Sequence, residues 1–145
     1  LGAERSGIHR IAMARRNVDR LLDFARKTGA GRDPVVRQKL AQLVVEGEVA
    51  RLLAYRVSWM QSHEMPVEYE ASASRLFGSE FCQRVARIGM EVLGLYGLLE
   101  KDSPWALFGG KIGNDYLATV GATLATGTSE IHRNIIAQRG LGLPR

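Results

Sequence analysis

Apolar residues recur at three-to-four spacing near the start of the chain, at Ile8, Ile11, Ala12, Val18, Leu21, Leu22 and Ala25, with Arg10, Arg15, Arg16, Arg20 and Arg26 on the other face. That period predicts an amphipathic helix from residue 4 to about 28. Thr28-Gly29-Ala30-Gly31 stops it. Asp33-Pro34 then predicts a new start, with Asp as N-cap and Pro at the first helical position, where its missing N–H is harmless. The second helix should run from 34 to about 62, with Leu40, Leu43, Val44, Leu52, Leu53 and Val57 near one face and Glu46, Glu48, Arg51 and Arg56 in water. His63 to Tyr69, with Pro66, breaks the pattern. A third helix is expected from about 67 to 94, burying Ala71, Leu76, Phe77, Phe81, Val85, Ile88, Val92 and Leu93.

Beyond Gly94 the pattern changes, because Gly94, Gly97, Pro104, Gly109, Gly110 and Gly113 punctuate a stretch that cannot be one straight helix. A loop is expected, with a short helical turn from Trp105 to Phe108 whose rings cover the end of the molecule. A fourth helix from about 112 to 125 is interrupted at Thr126-Gly127 and restarts at Thr128 or Ser129, ending near Gly140, with Thr128-Ser129 supplying the cap. Amphipathic helices joined by short connections bury one stripe each most economically as a bundle. The expected fold is therefore all-α, an antiparallel four-helix bundle with its last helix interrupted at Thr126-Gly127, and with Leu40, Leu43, Leu53, Phe77, Phe81 and Val85 in the core. At the interruption, the backbone N–H groups of Ser129, Glu130 and Ile131 either meet an anion or polar ligand or belong to a plain kink.

Composition narrows the classes. With 145 residues, 46% hydrophobic and 24% charged, the chain has the profile of one folded domain. The single Cys82 cannot form an internal disulfide, and the scattered His9, His63 and His132 offer no zinc spacing, so no metal site is expected. No membrane span is expected, for want of 18 consecutive apolar residues. Without the order of a signal peptide, the expected location is cytoplasmic. The net charge of +5 reads either as a solvated helix face or as attraction for an anionic small molecule. A nucleic-acid reader should add interleaved aromatics or a known motif, so no nucleic acid is expected. The glycines form no GxGxxG after a strand. The opening Leu1-Gly2-Ala3-Glu4-Arg5 has no Met and already lies in a helical pattern, so the chain is expected to be a piece of a longer one.

The stretch from Gly127-Thr128-Ser129-Glu130-Ile131-His132-Arg133-Asn134-Ile135-Ile136-Ala137 to Gln138-Arg139-Gly140-Leu141-Gly142-Leu143-Pro144-Arg145 resembles the C-terminal signature of acyl-CoA dehydrogenases. Asp33-Pro34-Val35-Val36-Arg37-Gln38-Lys39-Leu40-Ala41 and the early Glu4-Arg5 are similar to the bacterial branch of that family. The resemblance covers the whole chain. It implies that residues 1–145 are the C-terminal helical bundle of a flavoprotein, with the N-terminal helical and middle β-domains absent from this chain. It also implies FAD as cofactor, an acyl-CoA thioester as substrate, electron-transfer flavoprotein or a similar acceptor, and a homodimer or homotetramer built through the bundle.

The implied reaction is α,β-dehydrogenation, in which a carboxylate removes the α-proton while the β-hydride passes to the flavin. An α-proton of a thioester is weakly acidic, so the base must be a positioned carboxylate whose pKa a dry site raises. In many members of the family that Glu directly precedes the Gly-Thr of the signature. Here the position is Thr126, whose hydroxyl has no basic form at neutral pH. In other members it precedes an Arg at the start of the first helix, which matches Glu4, with Arg5 as a candidate substrate contact. The bland reading of Glu4 is a first-turn charge favoured by the helix dipole.

The resemblance also places Thr128 and Glu130 near the FAD of the same subunit, and Arg26 or Arg32 near the FAD of a neighbour. The family's Phe-Gly after Arg26-Lys27-Thr28 is missing, and its Gln on the third helix is Glu91. A carboxylate facing a pyrophosphate would be repelled, so either Glu91 points elsewhere or cofactor affinity is altered. A subunit of the same fold that assembles but does not turn over is the alternative to the enzyme.

Overall fold

Asp33 sets the first firm landmark, its carboxylate accepting from the backbone N–H of Val35 at 2.7 Å and of Val36 at 3.4 Å ahead of Pro34. In the computed structural model, which describes residues 7–125 and 127–144, this cap opens the second of five α-helices. They are α1 (Ile8–Thr28), α2 (Pro34–Ser62), α3 (Tyr69–Leu93), α4 (Lys111–Ala122) and α5 (Ser129–Ile135). Single 3-10 turns lie at Ala30–Arg32, Gly94–Leu98 and Leu107–Gly110, and a π turn at Ile136–Gly140 follows α5. Among the described residues there is no strand, as expected.

The direction of each helix follows from its cross-links. Lys39 pairs with Glu91, Glu46 with Arg84 and Arg56 with Glu70, so α2 and α3 run antiparallel. Gln83 donates to the Thr119 carbonyl and Arg75 to that of Ala122, which sets α4 antiparallel to α3. Arg15 meets Glu48 across α1 and α2. The core under these pairs consists of Ile11, Val18, Leu43, Ala50, Phe81 and Val85 towards the middle, continuing to Leu21, Leu40, Leu93 and Ile112 at the end that carries the α1–α2 turn. Gly89 admits Ile112 so closely that a Cβ there would lie 2.8 Å from Ile112 Cγ2.

Several expectations need correction. Leu40, Leu43, Phe81 and Val85 are buried, but Leu53 and Phe77 are only half-buried. The buried stripe of α2 follows its small residues Gly47, Ala50 and Ala54, which let α2 approach α1 and α3 closely. Larger neighbours are pushed aside, leaving Val44 exposed and Leu52 57% exposed. Phe77 instead offers its ring face to the Arg84 guanidinium, 5.5 Å from the centroid. Glu46 is not in open water, since its side chain is only 14% exposed and bonds to Arg84 Nε at 2.6 Å. Of the expected cover at the bundle's end, Phe108 packs edge-on against Phe24, whereas Trp105 is 72% exposed. The fourth helix stops at Ala122, earlier than 125, because the Arg75 guanidinium takes the Ala122 and Ala125 carbonyls at 3.1 and 2.9 Å and so caps the end before the break.

Candidate functional site

A cavity of about 450 Å³ opens between α1, α3 and α4. Gly7, His9, Arg10, Arg75 and Ala125 surround its mouth, and Ile11, Ala14, Gly78, Cys82, Ala118 and Gly121 line its bore. Asn17, Lys111 and Asp115 line the other end, where Lys111 and Asp115 remain partly exposed. From Arg10 to Asn17 is seven residues of α1, roughly 10 Å at the helical rise. The wall is predominantly apolar and made of small side chains, the character of a binding cleft for an apolar group. Burial in this wall pushes the Cys82 thiol up to about 11, so it is a neutral thiol at ordinary pH. At the mouth, burial and then the neighbouring Arg10 charge hold the Arg75 guanidinium below its usual pKa.

The break beside this mouth is built from its own side chains. Gly127 has φ 106, a conformation that favours glycine. The Thr128 hydroxyl accepts from the Ile131 N–H at 3.4 Å, which bears out its assignment as the cap. The Glu130 carboxyl is held below its usual range by its own backbone N–H, then by the Thr128 hydroxyl and the Arg133 charge. One of the three N–H groups expected to face a ligand, that of Ile131, is therefore satisfied from within the turn. Glu130 is a charged carboxylate with its side chain 76% exposed and Arg133 at 3.8 Å.

Arg26 and Arg32 lie elsewhere, at the far end of α1. With Lys27, Gly29 and Arg37 they line a groove of about 630 Å³ around the α1–α2 turn. Arg26 contacts Asp23 at 3.3 Å, and both side chains are mostly exposed. The structure thus unites Arg26 with Arg32, and Thr128 with Glu130, but in separate grooves, Glu130 lying with Arg84, Arg87 and Arg133 beside the middle of α3 and Arg26 with Arg32 at the α1–α2 turn. A phosphate-bearing ligand fits the first set, which is rich in forked donors. The second set offers an acceptor carboxylate that suits hydroxyl groups better than phosphates. Glu91 is turned to Lys39, its Oε2 2.5 Å from the ammonium. Glu4, Arg5 and Thr126 lie outside the described residues. Asn17, Lys111 and Asp115 were not singled out in the sequence, although Asn17 stands on the apolar face of α1 between Ala14 and Leu21, where a polar residue needs a reason.

The sequence matches the family described as acyl-CoA dehydrogenase, C-terminal domain, over residues 1–141. The chain belongs to that family. FadE26, an acyl-CoA dehydrogenase of Mycobacterium tuberculosis, is 35% identical over 113 residues, covering 76% of this chain and 28% of that protein. The Tcur3481-Tcur3483 steroid ACAD is similar with a TM-score of 0.86 and 28% identity, over 91% of this chain and 34% of that one. The ChsE4-ChsE5 complex from Mycobacterium tuberculosis has a chain that matches with a TM-score of 0.83 and 31% identity, over 93% of this chain and 36% of its own. The chain therefore spans about a third of the length of the proteins it matches. Among the described residues, no helix is long and apolar enough to cross a membrane.

Proposed function

We propose that this chain is the C-terminal bundle of a longer FAD-dependent acyl-CoA dehydrogenase, which also holds the N-terminal helical and middle β-domains. The observation that carries the reading is the apolar cavity whose mouth includes Gly7, three positions after Glu4 in the sequence. A thioester whose acyl group enters that cavity presents its α-carbon near the start of α1. On this reading Glu4 is the base that takes the α-proton, a role for which a carboxylate needs a pKa raised towards neutral. Arg5 contacts the thioester portion of the substrate. The flavin, when bound, supplies the acceptor for the β-hydride. Arg26 and Arg32 of one subunit neutralise its pyrophosphate in a neighbour, while Thr128 and Glu130 address the cofactor of their own subunit. Their placement in separate grooves supports that division. Electron-transfer flavoprotein or a similar carrier then reoxidises the enzyme.

A second reading, a non-catalytic partner subunit of the same fold, is favoured by one observation. The outer face of α2 exposes Val45, Val49, Leu52, Tyr55 and Trp59 in a row that another chain can cover. On the first reading the same face builds a homodimer or homotetramer. The two are separated with the full-length protein, purified and mixed with acyl-CoA under anaerobic conditions. An enzyme is yellow and loses its flavin absorbance on mixing; a protein that stays colourless after reconstitution with FAD and that pairs with a flavin-bearing homologue establishes the second reading.

A further inference from the structure

The interrupted fourth helix is held on both sides of its break by α3. Before the break, the Arg75 guanidinium donates to the Ala122 carbonyl at 3.1 Å and to the Ala125 carbonyl at 2.9 Å. Beyond it, Glu80 Oε1 accepts from Arg133 Nη2 at 2.6 Å, and Arg133 in turn stands 3.8 Å from Glu130. Arg75 and Glu80 both stand on α3, so one rigid helix carries both ties. The short helix α5 depends on them. It has seven residues, too few to hold a helix in water alone, and none of them is buried. Packing therefore fixes its direction weakly, whereas charge-assisted bonds of this geometry fix it well. Among the described residues no carboxylate acts on the Arg75 guanidinium, which gives up part of its hydration to reach the two carbonyls. Such a cation is a cap on the end of α4 rather than half of an ion pair.

We propose that Arg75 and Glu80 are positioning residues for the turn after the break: together they set Thr128 and Glu130 at the angle at which those side chains meet FAD. The inference rests on the cofactor reading above and deepens it, adding two residues that act through others. The two ties differ in strength. Arg75 makes two charge-assisted bonds, while Glu80 and Arg133 form an ion pair with side chains 30% and 54% exposed, whose contribution to stability is small. A released turn binds only in the fraction of time it spends at the right angle, so each loss of cofactor affinity is bounded by the strength of the tie removed. The Arg75 tie is therefore the dominant one. Water can replace it at the carbonyls, since Ala125 is exposed and Ala122 half-buried, so its removal releases the turn without unfolding α3.

The test uses the full-length flavoprotein, stripped of its cofactor and titrated with FAD alone. Protein fluorescence reads the dissociation constant, and thermal unfolding of the apoprotein reads stability. Arg75→Met should weaken FAD binding by roughly tenfold, the size of one net charge-assisted bond, and Glu80→Gln by roughly two- to fivefold. Arg75→Lys, which keeps a donor for the same carbonyls, should recover most of the affinity. Arg56→Gln is the comparison, because its pair with Glu70 at 3.6 Å ties α3 to α2 and should leave FAD binding at the parent value. Parent affinity in both Arg75→Met and Glu80→Gln overturns the inference and leaves the cofactor reading standing. An equal loss in Arg56→Gln overturns it too, since any tie on α3 would then serve. If Arg75→Met does not fold, unaltered affinity in Glu80→Gln overturns the inference by itself. Folded parent apoprotein that takes up no FAD overturns the cofactor reading, and this inference with it.

Discussion

Lys39 and Glu91 join α2 to α3 near the α1–α2 turn, the ammonium 2.5 Å from the carboxylate. The substitution of Glu for the family's Gln therefore does not aim an uncompensated charge at the cationic groove. Both side chains are somewhat more than two-fifths exposed, at 43% and 44%, so the pair is a surface ion pair. Glu91→Gln should change the domain's stability by only about 0.2–1 kcal/mol, with the difference shrinking in high salt. Thermal unfolding of parent and variant at two salt concentrations checks this, and a large salt-independent loss would show that Glu91 has another task.

The groove of Arg26 and Arg32 is expected to hold phosphate. Arg26→Gln and Arg32→Gln in the full-length protein should each weaken FAD retention, by roughly tenfold or more if a charge-assisted hydrogen bond is lost. The ratio of flavin to protein absorbance after exhaustive dialysis reads the effect. Unaltered flavin content in the double variant would remove these residues from the cofactor site.

Gly113 sets a close approach that no side chain tolerates. A Cβ at this position would stand 2.6 Å from the Gly97 carbonyl oxygen, which is backbone and cannot swing aside. Gly113→Ala should destabilise the bundle by about 1–3 kcal/mol, the usual cost of overpacking, through displacement of α4 from the turn after α3. Chemical denaturation of the two proteins measures it.

Cys82 supplies the pH dependence. Its folded-state pKa of about 11 lies above the ordinary value of 9.0 because burial disfavours the thiolate. The folded state therefore holds the proton more tightly. The associated stability is present below pH 9 and is lost as pH rises through 11. Alkylation at pH 8 should be slow in the native protein and accelerate on unfolding, since only the thiolate reacts. Equal rates in the two states would contradict the buried placement.

The helices were legible because their signals are local. Asp33-Pro34, Gly29 and the three-to-four spacing of Ile11, Val18, Leu21 and Ala25 each act within a few residues. The side of α2 that faces inward was not legible, because that helix is apolar on more than one face. Its direction was decided by how closely Gly47, Ala50 and Ala54 allow α1 and α3 to approach, which is a property of three helices together. Glu46 looked like a surface charge for the same reason, its partner Arg84 being 38 positions away. At the site, Thr128 as a cap could be read from sequence. The Asn17–Asp115 contact could not, since it joins residues 98 apart.

The central claim is that the longer protein is a dehydrogenase whose base is Glu4. Glu4→Gln keeps the size of the side chain and removes its basic lone pairs, whereas Thr126→Ala removes only a hydroxyl at the break. Anaerobic stopped-flow mixing with acyl-CoA, followed at the flavin band, compares both with the parent. The expected result is yellow, folded Glu4→Gln protein whose flavin reduction is slower by at least roughly 10²–10⁴, with Thr126→Ala close to the parent. Normal reduction kinetics in Glu4→Gln would contradict the account.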